Sequence, residues 1–90
     1  KEAFNMGLAS EVVPDDEVLD RALELATKIA ALPPVAVRLT KETVMAGADA
    51  ALDTGLLLER RAMEFLFDTD DQSEGMQAFV EKRKPHFKGE

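Results

Sequence analysis

The side chains that could do chemistry are few, and the most suggestive pair lies near the end of this 90-residue chain. Phe79 and Lys82 are three residues apart, so on a helix they would be neighbours on one face. An aromatic ring beside an ammonium suits a nucleotide that carries phosphate, because the ring can stack on the base while the lysine meets the charge. The alternative is that Phe79 is a core residue and Lys82 a solvated charge, and the spacing alone favours this alternative.

The other polar residues give no sign of catalysis or metal binding. His86 is the only histidine and has no neighbours at metal-ligand spacing, so we expect it to be solvated. Glu59 and Glu64 are five residues apart and have arginines nearby, which favours surface ion pairs over an acid–base pair. The serines and threonines lack a partnering base, and the isolated glycines do not form a phosphate loop. The residues alone therefore predict a helical interaction module with no catalytic residue and no metal site.

Composition narrows the range of partners and locations. The formal charge of −7 argues against nucleic-acid binding, which needs a basic surface to displace counterions. The apolar runs fall far short of the roughly 20 residues that span a bilayer, and residues 1–4 lead into no signal peptide. Cysteine is absent, so disulfides are excluded and a cytoplasmic location is expected. Residues 82–88 nevertheless form a basic cluster, and such a patch can hold a small phosphorylated ligand on an acidic protein.

Apolar residues recur at three- and four-residue steps, which predicts an all-α fold. Pro34 can begin a helix, because its missing N–H needs no partner there, and Gly7 is well placed to end one. The connections are short, so a small antiparallel helical domain is expected, with one extended piece at residues 11–13 that is too short to form a sheet. Residues 1–6 would be the end of a helix, and four further helices would cover residues 16–32, 34–46, 49–67 and 71 to just before Pro85.

Acidic residues stand where these helices are predicted to begin. Asp15 or Asp16 would cap the first helix and Asp49 the third, while Asp71 and Glu74 would form a capping box at the fourth. Two helices would carry apolar faces, and the face of the third would point inward. Those faces comprise Val18, Ala22, Leu25, Ile29 and Leu32 on the first helix and Leu52, Leu56, Met63 and Leu66 on the third.

The order and spacing of several segments carry a more specific indication. Residues 73–89 read SEGMQAFVEKRKPHFKG, residues 26–34 read ATKIAALPP, and residues 2–14 contain EA, GL and then EVVP. Gly55-Leu56 with Glu59-Arg60 continues the same pattern. Together these segments resemble the enoyl-CoA hydratase/isomerase (crotonase) family over nearly the whole chain, and residues 73–89 resemble its carboxy-terminal signature.

This resemblance implies a parent enzyme in which an amino-terminal spiral of ββα units carries the active site. Residues 1–14 would be the end of that spiral and a connector, and residues 15–90 a helical trimerisation and lid region. In the family's hydratases, two glutamates add water to a 2-enoyl-CoA while two backbone N–H groups hold the thioester oxygen. All of those groups would lie upstream of Lys1, so the resemblance implies that this segment alone is inactive.

The resemblance also implies contacts with coenzyme A. The phenylalanine and lysine of the family's last helix lie near the CoA moiety, often that of a neighbouring subunit, and they match Phe79 and Lys82. An aromatic residue is common sixteen positions before that phenylalanine; here the position is Met63, which fills apolar space but cannot stack in the same way. The implied ligand is an acyl-CoA thioester bound as substrate, with no tightly bound cofactor. The implied assembly is a homo-oligomer, either a trimer or a dimer of trimers.

Two hypotheses follow from different classes of protein. The first is the carboxy-terminal part of an enoyl-CoA hydratase/isomerase of fatty-acid or related acyl-CoA metabolism, in which this segment supplies oligomer interface and part of the CoA and acyl pocket. The second is a self-contained helical protein-interaction module without enzymatic activity. A chain of this length buries only about 60–65% of its unfolded surface even when compact. Under the first hypothesis the segment is separated from its spiral partner, so we expect underfilled apolar faces on the first and third helices and self-association of the isolated chain.

Overall fold

The computed structural model describes residues 1–90, and all of its regular secondary structure is helical, which confirms the predicted all-α class. It contains five α-helices and one 3₁₀ turn, and residues 11–13 form no strand. The elements are α1 Glu2–Asn5, the 3₁₀ turn Asp15–Glu17, α2 Val18–Ala30, α3 Pro34–Ala48, α4 Leu52–Phe67 and α5 Asp70–Glu81.

The helix boundaries follow the proline and glycine signals more closely than the acidic ones. Pro34 is the first residue of α3, as predicted, because its ring sets a helical φ and its missing N–H would be unpaired there. Gly7 follows the short α1 with φ of 74°, a left-handed conformation that glycine adopts without steric cost. Pro34 therefore begins a helix, and Gly7 follows the end of one, at the positions that the sequence predicted.

The predicted acidic caps are wrong. Asp15 and Asp16 lie inside the 3₁₀ turn, and neither α2 nor α4 has a side-chain cap hydrogen bond. Asp49 follows the end of α3, and α4 begins three residues later. The capping box is also wrong, because α5 begins earlier and Thr69 is its cap: the Thr69 hydroxyl oxygen accepts the N–H of Gln72 at 3.3 Å.

Helices α3 and α4 form a hairpin joined by residues 49–51. Gly47 and Gly55 allow the two backbones to approach closely, since a Cβ built on Gly55 would lie 3.5 Å from the Cα of Gly47. Larger side chains at this crossing would push the helices apart. Helix α5 continues from α4 through Thr69, whose hydroxyl also donates to the carbonyl of Leu66 at 2.7 Å.

The connector before α2 is fastened by an ion pair. The guanidinium of Arg21 donates to both oxygens of Glu11, at 2.6 and 2.8 Å, and it also binds Glu24. Hydrogen bonding to Arg21 lowers the pKa of Glu11. The connector is therefore tied to α2 through the side chain of Glu11, and residues 11–13 form no β-ladder.

The molecule is open, with almost no interior. Only Ala78 and Asp71 are buried, and the accessible surface is 7766 Å². A compact protein of 9.9 kDa would expose about 5,200 Å². The Cα radius of gyration is 16.6 Å, whereas about 12 Å is usual for this length. The helices thus leave roughly 2,500 Å² more surface in solvent than an ordinary domain does.

The apolar face of α2 is uncovered, and the inward orientation predicted for the apolar face of α4 is wrong within this chain. The only element in substantial contact with α2 is the 3₁₀ turn that precedes it. The apolar side chains of α2 are exposed to solvent. On α4, Leu66 is half-buried, but Leu52, Leu56 and Met63 are each more than half exposed. The amphipathic pattern shows that these faces can be buried, but nothing among residues 1–90 covers them. This result agrees with the underfilled faces that the family hypothesis predicts.

Candidate functional site

The chain after α5 turns back along that helix, and this return positions the candidate ligand-binding residues. Helix α5 ends at Glu81, earlier than predicted, and Lys82 adopts a left-handed conformation with φ of 54°. The N–H of Lys82 donates to the carbonyl of Phe79 at 3.3 Å, and the N–H of Arg83 donates to that of Ala78 at 3.0 Å. This pair of bonds is a Schellman cap, with Lys82 at the position where glycine is usual.

An ion cluster fastens the first part of the returning chain. The guanidinium of Arg83 binds both oxygens of Glu74, at 2.7 and 2.9 Å, and binds Glu81 at 2.6 Å. The backbone N–H of His86 also donates to Glu74, at 2.8 Å. Hydrogen bonds from Arg83 and then from the His86 amide lower the pKa of Glu74 to about 2. Glu74 therefore stays ionised over the whole physiological pH range.

A buried carboxylate fastens the end of the chain. Asp71 is 4% exposed, and its two oxygens accept the N–H groups of Lys88 and Gly89, at 2.7 and 2.8 Å. In return, the N–H of Asp71 donates to the carbonyl of Glu90 at 3.0 Å. Sequence reasoning took Asp71 for a helix cap and missed this role, because its partners lie 17 and 18 residues away and are backbone groups.

We call the fastening of residues 83–90 by Asp71, Glu74 and Arg83 the tail clip. Two close contacts complete it. A Cβ built on Gly75 would lie 3.5 Å from the ring of Phe87, so the absence of a side chain at Gly75 makes room for that ring. Gly89, with φ of 81°, brings its backbone against Pro34 at the start of α3. The tail therefore ties the end of the chain to both α5 and α3.

The structure exposes Phe79 and Lys82 but does not place them on one helical face. Phe79 is 81% exposed near the end of α5, whereas Lys82 lies beyond the helix, so the three-residue helical spacing does not apply to its side chain. None of the ion pairs in the chain includes Lys82. An aromatic ring and an unpaired ammonium are thus both available to solvent at the end of α5.

Met63 lies elsewhere, at the junction of two open grooves. The hairpin groove, about 510 Å³ in volume, runs between α3 and α4, and the second groove, about 290 Å³, lies between the start of α3, the end of α4 and α5. Met63 and Leu66 line both grooves, whereas Phe79 and Lys82 line neither. The structure therefore brings Met63 together with the apolar groove residues and not with the other two predicted ligand contacts. The side chains that line the hairpin groove include Leu39, Thr43, Val44, Leu52, Leu56 and Glu59.

The chemistry that this arrangement supports is binding. The polar side chains of the tail clip already engage one another and backbone amides, with no buried polar side-chain atom left without a partner. No three or more histidine or acidic side chains are grouped so as to hold a metal ion. His86 and the pair Glu59 and Glu64 are exposed. None of the helices combines the length and the apolar character that crossing a membrane requires.

Comparisons with known proteins agree on one family. The family model described as "Enoyl-CoA hydratase/isomerase" matches residues 1–90. The probable enoyl-CoA hydratase echA8 of Mycobacterium tuberculosis is 48% identical over 86 residues, which are 96% of this chain and 34% of that protein. The 2,3-dehydroadipyl-CoA hydratase of Escherichia coli is 40% identical, over 99% of this chain and 35% of that protein.

Solved structures give the same result for the fold. The crystal structure of an enoyl-CoA hydratase from Bacillus anthracis superimposes with a TM-score of 0.94 at 47% identity, covering 99% of this chain and 34% of that one. An enoyl-CoA hydratase/isomerase from Mycobacterium paratuberculosis gives a TM-score of 0.93 at 36% identity. The chain spans about a third of the length of these relatives, and the matched third is the carboxy-terminal one.

Proposed function

The chain belongs to the enoyl-CoA hydratase/isomerase family, and from this premise we propose that it works as the carboxy-terminal helical part of an enzyme that hydrates 2-enoyl-CoA thioesters. In that enzyme the glutamates that add water and the backbone donors that hold the thioester oxygen would come from the amino-terminal part. Residues 1–90 would supply surface for assembly and part of the CoA and acyl pocket. The enzyme would act in the acyl-CoA metabolism of the cytoplasm.

One observation carries this proposal: a helical third of a hydratase fold that matches known structures while leaving its apolar faces uncovered. The match to the Bacillus anthracis enzyme extends over 99% of the chain, so the open shape is shared with a folded relative and does not indicate a failure to fold. The excess of roughly 2,500 Å² of exposed surface is the size of a substantial protein interface. Covering that surface requires other parts of an enzyme or other subunits.

The apolar faces suggest that two parts of the segment make different contacts. Residues 1–14 would connect to the amino-terminal part, and residues 15–90 would form the assembly and lid region, with the exposed faces of α2 and α4 as the contact surfaces. The assembly would be a homo-oligomer, a trimer or a dimer of trimers. Obligate interfaces are more hydrophobic than ordinary surface, and the exposed leucines, methionines and phenylalanines of these helices suit that role.

Phe79, Lys82 and Met63 are the proposed contacts with the substrate. The exposed ring of Phe79 can stack on the adenine of CoA, and the ammonium of Lys82 can meet a phosphate. Met63, 55% exposed where the two grooves meet, can line the acyl or pantetheine path as a flexible apolar side chain. The ligand is an acyl-CoA thioester, and the proposed chemistry needs no tightly bound cofactor.

A chimeric enzyme tests the proposal. The matching third of the Bacillus anthracis hydratase would be replaced by residues 1–90, with the unaltered enzyme as the control. We expect the chimera to assemble and to hydrate crotonyl-CoA, and we expect residues 1–90 alone to be inactive.

Two outcomes would contradict the proposal. Hydration of crotonyl-CoA by residues 1–90 alone would show that the catalytic groups are not upstream. A chimera that assembles as the control does but cannot bind CoA would favour the second hypothesis, a helical module that serves only protein interaction.

A further inference from the structure

The backbone of Lys82 is held in a conformation that its side chain disfavours. Lys82 is the only residue other than glycine with a positive φ, and the left-handed region brings a Cβ close to the carbonyl oxygen that follows it. Glycine is the usual residue at this position of a Schellman cap. Neighbouring groups must therefore hold Lys82 in place.

Arg83 is the side chain that spans this position. Its guanidinium binds Glu81, the residue just before Lys82, at 2.6 Å, and binds Glu74 on the preceding turns of α5 with two hydrogen bonds of 2.7 and 2.9 Å. Its own N–H makes the Schellman bond to Ala78. One residue thus fixes the chain on both sides of Lys82, with planar, charge-assisted bonds that resist rotation.

Arg83 also changes the electrostatic surroundings of Lys82. Glu74 and Glu81 are both ion-paired to Arg83, whereas Lys82 takes part in no ion pair of the chain. Without Arg83, those two carboxylates would be left to attract the Lys82 ammonium and to repel an incoming anion. With Arg83 in place, the ammonium can be neutralised by a ligand from outside.

From these contacts we propose that Arg83 is a positioning residue for anion binding by Lys82. It holds Lys82 in the left-handed conformation and occupies Glu74 and Glu81, so that the Lys82 ammonium is directed to a phosphate of the acyl-CoA. This inference rests on the proposed CoA contact at Lys82 and adds the residue through which that contact is prepared.

A double-mutant cycle in the full-length protein tests the coupling. The dissociation constant for CoA would be measured by calorimetric titration for the parent protein, Arg83→Gln, Lys82→Gln and the combined variant, with KM and kcat for crotonyl-CoA. We expect Arg83→Gln to weaken CoA binding about fivefold, with KM raised and kcat nearly unchanged. In the Lys82→Gln background the same change should have no further effect, because Arg83 acts through Lys82.

Two variants separate positioning from a general effect of charge or stability. Lys41→Gln removes one exposed positive charge on α3, outside the basic cluster of residues 82–88, and should leave the dissociation constant unchanged. Adding Glu74→Gln and Glu81→Gln to Arg83→Gln should restore part of the lost affinity, because the released carboxylates are neutralised. If Arg83→Gln does not fold, Arg83→Lys takes its place, with a smaller weakening expected that again disappears in the Lys82→Gln background.

The outcomes that overturn this inference differ from those that overturn the proposed function. Additive effects of the Arg83 and Lys82 changes, or an Arg83→Gln protein with unaltered CoA affinity, would contradict positioning by Arg83. A protein that binds CoA equally well with Lys82→Gln would instead contradict the CoA contact itself. A full-length protein that neither binds CoA nor hydrates crotonyl-CoA would contradict the proposed function.

Discussion

At the scale of single residues, Lys82 combines the properties that anion binding requires. Its ammonium is exposed and unpaired, and its backbone is fixed by the Schellman bonds and by the residues on either side. Most surface lysines lose side-chain freedom when they bind a ligand, which reduces the gain from the charge. A fixed backbone lowers part of that cost, because only the side chain has to be ordered.

Reversal of the charge at Lys82 should affect binding more than turnover. We expect Lys82→Glu in the full-length enzyme to raise KM for crotonyl-CoA about fivefold while kcat changes less, because an interaction equal in the ground and transition states is removed. Steady-state kinetics would measure both constants, with Lys41→Glu, an exposed lysine of α3 outside the basic cluster, as the control. An unchanged KM would rule out the proposed role of Lys82.

Glu74 should titrate far below an ordinary glutamate. Its folded-state pKa of about 2 lies below the usual 4.5, so its ion pair with Arg83 stabilises the tail above pH 4.5. That contribution is lost as the pH falls from 4.5 towards 2. We expect the carboxyl carbon of Glu74 in NMR spectra to titrate near pH 2, and to titrate closer to 4.5 in Arg83→Gln. A midpoint near 4.5 in the unaltered chain would contradict the ion cluster.

At the scale of elements, the tail clip explains why residues 73–89 form so distinctive a pattern. Glu74 and Arg83 pair across the end of α5, and Gly75 leaves room for Phe87. Gly89 has positive φ and lies against Pro34. Several of the residue types that carry the family resemblance thus serve to fold the tail back along α5.

Asp71 should be the residue on which the end of the tail depends. In Asp71→Asn, one of the two accepting oxygens becomes an NH₂ group, so one of the amides of Lys88 and Gly89 loses its acceptor. These donors are partly buried, so leaving one unpaired costs about 1 kcal/mol, and we expect hydrogen exchange at that amide to accelerate about fivefold.

The neighbouring residue provides the control for this measurement. Asp70 is exposed in the first turn of α5, and Asp70→Asn removes the same charge without removing a tail hydrogen bond. Exchange at Lys88 and Gly89 should remain as in the unaltered protein. Equal rates in Asp71→Asn and Asp70→Asn would show that the buried carboxylate does not hold the tail.

At the scale of the whole molecule, the single chain buries too little apolar surface to remain unassociated. Its exposed apolar faces on α2 and α4 are the type of surface that association covers, and the excess surface matches that of a stable interface. We therefore expect residues 1–90 to self-associate at tens of micromolar, measured by sedimentation velocity. A strictly monomeric species at that concentration would contradict this expectation.

A variant on α2 would locate the association. Leu25→Glu places a charge on the apolar face and should weaken association by about 10- to 100-fold, the equivalent of one buried leucine. Asp20→Asn changes a polar residue of the same helix and should have little effect. Equal association constants for the two variants would show that α2 is not part of the contact.

The sequence by itself determined the helical class, the start of α3 at Pro34, the turn at Gly7 and the family. These features depend on local backbone preferences and on the order of residues along the chain, which are readable without knowing what lies nearby in space. The candidate contacts Phe79, Lys82 and Met63 were also identified there, through the family resemblance.

Only the tertiary structure decided how those residues are placed. In the structure α5 ends before Lys82, and Asp71, expected to be a helix cap, accepts two distant backbone amides instead. Met63 lies in a groove that Phe79 does not line. The structure also showed that the apolar face of α2 is uncovered and that most of the apolar face of α4 stays exposed in an open groove beside α3. Each of these outcomes depends on groups far apart in sequence, and an amphipathic pattern specifies that a face can be buried but not what buries it.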